Sequence, residues 1–235
     1  MDTVTTPTVD GLPTTLHRLT HEELKHSPLL EPLYLMINAA FGVTSVAPYF
    51  PDIEPIKRLV NSAQLVTELG STAVTFILTQ STVSPEGHVD LRLLGTVTLE
   101  VHDEDGAAAH ADADYGGRGA FDTIMYQDSP PFASTVAHRV VHFLAVDPSL
   151  MGKGLASWLM KHLEAEAIAQ LQRERLEEGK AWTTLRMVLS TINEINGKYY
   201  GKRGWKTLAR REMPPGFLGS PGGFTLVRME KVLDL

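Results

Sequence analysis

The chain has 235 residues, 43% hydrophobic and 21% charged, enough to bury a substantial core as one large domain or two small ones. It has no cysteine, which excludes disulfides, thiolate zinc sites and a cysteine nucleophile, and no apolar run of about 18 residues, which excludes a helical membrane span. Its net charge of −7 argues against a nucleic-acid partner, which would need a basic face.

Residues 1–13 are rich in Thr and Pro and read as a disordered tail. They lack the basic start and apolar core of a signal peptide, so a cytoplasmic location is expected, with the nucleus not excluded. Residues 14–235 are expected to form a single domain. A strand is predicted over 14–19, and Thr20-His21-Glu22-Glu23 resembles a helix cap with acid in the first turn. Helices are expected over 29–41 and, after a connection carrying Tyr49 and Phe50, over 53–69, closed by Gly70. Strands follow over 72–79 and 91–101, joined at Pro85-Glu86-Gly87. Gly95 marks a bulge or close packing in the second.

The segment 103–135 holds Asp103, Glu104, Asp105, Asp112, Asp114, Asp122 and Asp128 against Arg118 alone. It is too long for an ordinary hairpin loop and is read as an insertion, either disordered or a substrate-side lid. Its charge suits a cationic substrate, and equally a solvated loop. His102, His110, Asp112 and Asp114 match no tight metal-ligand spacing, so no metal site is assigned.

Val140 to Val146 is an unbroken apolar and β-branched run apart from His142, as in a strand covered on both faces. Asp147-Pro148-Ser149 ends it. Gly152 and Gly154 then open a helix whose buried stripe is Leu155, Leu159, Leu163, Ala167 and Leu171, ending near Gly179. A strand over 183–189, a short helix over 193–203 stopped by Gly204, and a strand pair over 205–210 and 224–232 complete the chain. The order β-α-α-β-β-β-α-β-α-β-β predicts an α/β fold with a mixed, mostly antiparallel sheet flanked by helices.

A glycine-rich entry into a helix places free N–H groups around an anion, most often phosphate. Gly152-Lys153-Gly154 does not fit a Walker loop, which needs Gly-x4-Gly-Lys-Ser/Thr, and Ser157 stands where a dinucleotide fingerprint needs its third glycine. The third pattern is Arg/Gln-x-x-Gly-x-Gly/Ala after a strand ending Leu-Ala-Val. Here Leu144-Ala145-Val146 precedes Met151-Gly152-Lys153-Gly154-Leu155-Ala156, with Met151 where the pattern has Arg or Gln. About 40 residues on, Asn193-x6-Tyr200-x3-Gly204-Trp205 looks like a second motif, Asn-x6-Tyr-x3-Gly-Phe. With both motifs in this order, and Gly95 in its strand, the chain resembles the GNAT superfamily of acyl-CoA-dependent N-acetyltransferases.

The resemblance implies an acetyl-CoA-dependent N-acetyltransferase acting on a primary amine through a ternary complex. Backbone N–H groups of Met151, Gly152, Lys153, Gly154, Leu155, Ala156 and Ser157 would cradle the coenzyme A pyrophosphate, with Lys153 a candidate replacement for the missing Arg or Gln charge. The main chain of Leu144, Ala145 and Val146 would pair with the pantetheine amides, an N–H near Val146 would polarise the thioester carbonyl, and Asn193 would bond the pantetheine arm. Tyr200 matches the residue that protonates the departing thiolate. The family's carboxylate on the central strand corresponds to Val140, so the base must lie elsewhere. His142, two residues on and on the same face, is the leading candidate, Glu100 the alternative and His138 the third. A small-molecule amine is preferred to a protein lysine as acceptor. The acceptor cleft is expected from 41–50, 103–135 and 213–223; family members are often dimers, so the resemblance allows a homodimer, but the sequence does not set the oligomeric state. The rival reading is a non-catalytic acyl-CoA-binding sensor that keeps the coenzyme site.

Overall fold

Thr20 closes the first strand and caps the first helix at once. Its side chain accepts from the Glu23 backbone N–H, and the Glu23 carboxylate accepts from the Thr20 N–H at 2.8 Å, a reciprocal capping box. The computed structural model describes residues 5–42, 58–83, 89–102, 133–217 and 220–235. Its elements are β1 (Thr15–Thr20), α1 (His21–Lys25), α2 (Leu30–Gly42), α3 (Ser62–Thr67), β2 (Val74–Val83), β3 (Val89–Val101), β4 (Val136–Val146), α4 (Leu155–Glu178), β5 (Thr184–Ile192), α5 (Lys198–Gly201), β6 (Lys206–Met213) and β7 (Phe224–Asp234). The strands hydrogen-bond in the order β1-β2-β3-β4-β5-β7-β6. The sheet is mostly antiparallel, as expected, with β4 and β5 parallel from Val136↔Thr184 to Val140↔Val188.

The chain divides into two compact units, and β4 and α4 contribute residues to both. The first comprises Met1–Val43, Pro55–Glu100 and His142–Ala167. Adjacent residues of a strand face opposite sides of the sheet, and β2 shows what each side holds. Ile77 joins Leu24, Leu33, Ile37, Leu59, Leu65, Leu93, Phe143 and Ala145 in one buried cluster built from α1, α2, α3 and the strands. Phe76 turns the other way and meets the ring of His162 on α4 edge-on, at 5.2 Å between centroids. The helical stripe predicted for α4 is buried throughout, from Leu155 to Leu171.

Among the described residues, the helix expected over 53–69 is present as α3. Its start is fixed by Asn61, whose side chain accepts from the Gln64 N–H. Residues 53–57 lie outside the described residues, as do 84–88, which hold the expected Pro85-Glu86-Gly87 turn. Within the N-terminal segment expected as a tail, residues 5–13 are described and are anchored at Val9. Val9 is buried and exchanges two backbone hydrogen bonds of 3.0 Å with Leu12, and the Val9 carbonyl accepts from buried Gln80 at 2.7 Å.

The second unit comprises Thr44–Glu54, Val101–Val141 and Ile168–Leu235. Here β5, β7 and β6 form an antiparallel set. Buried Arg139 meets Glu174 of α4 at 3.3 Å, and Trp182 donates to the same carboxylate at 3.1 Å. The predicted helix over 193–203 begins as one π-helical turn, Asn193–Gly197, before α5. A Cβ at Gly197 would fall 2.5 Å from Asn193 Oδ1, so glycine is what lets the asparagine side chain fold over this turn.

Candidate active site

The end of β4 is built to deliver a helix. Asp147 Oδ1 accepts from the Ser149 N–H at 2.9 Å and from the Ser149 hydroxyl at 2.8 Å, an Asx-type turn. Arg92 of β3 holds the other carboxylate oxygen through Nε at 3.1 Å and Nη2 at 2.9 Å, and also reaches Ser149 Oγ. Burial pushes the Asp147 carboxyl up, but the bonds from Ser149 and Arg92 together outweigh it and hold the group below the usual range. The sequence pattern missed Arg92; its partner Asp147 was read only as a strand terminator.

Beyond this lock, Pro148–Leu150 makes one 3-10 turn. Gly152 and Gly154 adopt φ of +79° and +87°, and a Cβ on either would meet nothing within 4 Å. Conformation, not crowding, therefore demands glycine at both. α4 begins at Leu155, directly after this exposed turn, with the amides of Leu155, Ala156 and Ser157 in its first turn. Met151 is 45% exposed and supplies no charge. Lys153 pairs with Asp10 at 3.0 Å. Opposite the strand end, a Cβ at Gly95 would lie 3.0 Å from both the Ala145 carbonyl oxygen and Leu159 Cδ1; here it is close approach of β3 to the end of β4 and to α4 that requires glycine.

Along β4, His142 and Leu144 are half-buried in an otherwise buried strand end. Phe143 between them has φ +49°, a conformation uncommon for a bulky residue. Its ring lies under the Arg58 guanidinium at 5.1 Å, and Arg58 is itself held by buried Glu68 at 2.6 Å. This support for the strand was not anticipated. His142 Nε2 lies 3.1 Å from Glu100 Oε2, so the two residues that sequence reading offered as rival bases form one pair. Gly70 makes room for it: a Cβ there would collide with Glu100 Oε1 and lie 2.9 Å from Glu100 Cδ.

Asn193 and Tyr200 belong to the second unit. Tyr200 is buried against Trp205, edge to face at 5.8 Å. Burial, reinforced by the neighbouring Tyr199, pushes its phenol well above 10 despite the opposing charge of Arg203. Tyr199 is covered by the Arg203 guanidinium at 3.7 Å. His138, the third candidate base, is lowered to about 4 by burial and by Arg186, Arg139 and Arg228. It is neutral at pH 7 but too weakly basic to remove a proton from an ammonium group effectively. Most of the expected acceptor segments, 43–50, 103–132 and 218–219, lie outside the described residues. His110, Asp112 and Asp114 lie there too, and no cluster of three metal-ligating residues occurs among the described residues. No helix among the described residues is long and apolar enough to cross a membrane.

Comparison with known proteins matches part of the chain to a family model. Residues 90–181 match the model of the acetyltransferase (GNAT) family, a segment running from β3 through β4, the glycine turn and α4. Among solved structures, the chain is similar to the ribosomal-protein-S18-alanine N-acetyltransferase of Escherichia coli, at 14% identity over 94% of this chain and 95% of that one, with a TM-score of 0.47. It is similar to NAA60 of Arabidopsis thaliana in complex with a bisubstrate analogue, at 12% identity, 94% and 99% coverage and a TM-score of 0.49. An aminoglycoside 6′-N-acetyltransferase complexed with coenzyme A is similar at 12% identity, 93% and 96% coverage and a TM-score of 0.44. No curated protein matches the chain. The family match identifies residues 90–181 as a GNAT acetyltransferase segment.

Proposed function

We propose that the protein is an N-acetyltransferase that moves an acetyl group from acetyl-CoA directly to a primary amine, with both substrates bound together. The observation that carries this reading is the glycine turn. Two left-handed glycines, open on their Cβ side, lead straight from β4 into the 24-residue helix α4. When bound, acetyl-CoA supplies an activated thioester acyl group. The backbone N–H groups from Met151 to Ser157 would hold its pyrophosphate, aided by the positive end of the helix dipole; those of Met151 and Lys153 donate at 3.3 Å to the Pro148 and Leu150 carbonyls and would exchange these bonds for phosphate. The main chain of Leu144, Ala145 and Val146 would pair with the pantetheine amides, and the Asn193 side chain would add a bond to the same arm.

The acceptor arrives as an ammonium ion and must lose a proton. His142 takes it, and Glu100 orients the imidazole and stabilises the imidazolium that forms. Tyr200 serves the departing thiolate. Its burial keeps the phenol protonated and moves it further above a thiol near 8.5, so its contribution is a strong hydrogen bond to the thiolate more than full transfer of its proton. The acidic composition of residues 103–135 supports a cationic small-molecule acceptor over a protein lysine, and the cysteine-free composition suits a cytoplasmic setting.

A panel of polyamines, amino sugars, amino acids and lysine peptides, each incubated with acetyl-CoA and read as released free thiol, tests the proposal. Amine-dependent thiol release is the expected result. Coenzyme A binding with no turnover on any amine would favour a non-catalytic acyl-CoA sensor, and absence of binding would contradict both.

A further inference from the structure

Residues Val9 to Leu12 form a tight turn that ends over the glycine loop. Asp10 and Gly11 both have positive φ, +50° and +79°, the pattern of a type I′ turn, which Asp-Gly favours more than almost any other pair. The turn is fixed from behind. The Val9 side chain is buried, Val9 and Leu12 exchange backbone bonds, and buried Gln80 donates to the Val9 carbonyl at 2.7 Å and to that of Leu12 at 3.4 Å. Thr6 and Thr14 tie the two arms of the turn together through bonds to the Thr14 and Pro7 carbonyls. The tip therefore has a set position, and its carboxylate meets Lys153 Nζ at 3.0 Å. Both side chains are about half exposed, 49% for Lys153 and 59% for Asp10.

The cations at this loop are all engaged with carboxylates among the described residues. Arg92 is held by Asp147 and Lys153 by Asp10, while Met151 supplies no charge. Arg92 makes three bonds within the lock that shapes the turn. Lys153 makes one exposed ion pair, a kind of contact that contributes little and is readily exchanged.

We infer that Asp10 is a determinant of coenzyme affinity: it occupies Lys153 in the free protein and competes with the phosphates of the coenzyme for that one exchangeable cation. The inference rests on the glycine turn being the coenzyme site. It adds a residue far away in sequence that opposes donor binding, so affinity is set by a balance between a fixed internal anion and the incoming one. Removing the carboxylate leaves Lys153 free to meet phosphate and removes a like charge from the approach of an anionic ligand.

The test is isothermal titration of coenzyme A into wild type, Asp10→Asn, Lys153→Met and the double variant, at about 50 and 300 mM salt. Asn keeps the left-handed conformation that the turn demands, so the fold is preserved; circular dichroism and thermal unfolding verify this. Asp10→Asn is expected to bind about three- to tenfold more tightly at low salt, with the gain shrinking at high salt. Lys153→Met is expected to bind more weakly and to remove most of the gain from Asp10→Asn. Equal or weaker binding by Asp10→Asn, or an undiminished gain in the Lys153→Met background, overturns the inference while leaving the coenzyme site intact. No binding by any of the four proteins overturns the coenzyme reading, and this inference with it.

Discussion

Glu100 and His142 are one unit: Oε2 of the first lies 3.1 Å from Nε2 of the second, with the glutamate side chain 5% exposed and the histidine 21%. A carboxylate almost removed from water is costly unless it has a charged or hydrogen-bonding partner. In the proposed mechanism the half-open histidine accepts the proton and the buried glutamate supports it.

If this pair removes the proton, His142→Gln should lower kcat/KM by about 10²- to 10⁴-fold, and Glu100→Gln by less. Because the two act as a unit, the double variant should be little worse than His142→Gln alone. Steady-state kinetics with the best acceptor measure all three. Multiplicative losses would mean that the residues act independently.

Gly70 should matter through Glu100. A methyl group there would collide with the carboxylate, so Gly70→Ala should displace the glutamate from His142. A displacement near 1 Å at a catalytic group costs on the order of 10²-fold in rate. The expected loss is in kcat, with coenzyme A affinity unchanged. Adding Gly70→Ala to Glu100→Gln should cost little more, and a full further loss would show that Gly70 acts elsewhere.

Tyr200 has a phenol pushed above its ordinary 10 by burial, so it stays protonated across the working range of the protein. Tyr200→Phe should lower kcat by about 10- to 10²-fold without removing any fall in activity on the alkaline side. A descending limb near pH 9 that is present in the wild type and lost in Tyr200→Phe would assign that ionisation to Tyr200 and contradict this description.

His138 should set part of the acid sensitivity of the fold. Its folded value is lowered from 6.5 to about 4 by burial and three arginines, while the unfolded chain titrates near 6.5. The unfolded state therefore binds the proton first as pH falls. The stability tied to neutral His138 is complete above about pH 6.5 and is lost as pH drops toward 4, by about 2 kcal/mol after allowing for screening. Urea unfolding of wild type and His138→Gln at pH 7.5 and pH 4.5 should show the wild type losing more. Equal losses would remove His138 from the account.

Much of this was legible in the sequence because it depended on local rules. The glycine turn, the stripe of Leu155 to Leu171 and the Thr20 cap are all fixed by neighbours within a few residues, and all are present. Gly95 was marked as a bulge or close contact, and it has the close contact. What escaped was pairing across distance. Glu100 and His142 were each visible but stood as competitors, because nothing in their spacing says that β3 and β4 bring them together. Arg92 gave no signal, since its partner is 55 residues away. The N-terminal segment escaped for a different reason: its Thr- and Pro-rich composition outweighed Asp10-Gly11, a turn signal that becomes informative only once buried Gln80 is there to receive it.

The most direct measurement is equilibrium binding of coenzyme A to the wild type and to a Gly152→Val, Gly154→Val double variant whose fold is verified by circular dichroism. β-branched side chains at φ near +80° force the turn out of its shape. Saturable binding at one site in the wild type, weakened at least tenfold in the variant, is the result predicted. No saturable binding in the wild type, or equal affinity in the two proteins, would contradict the assignment of this turn to the acetyl donor.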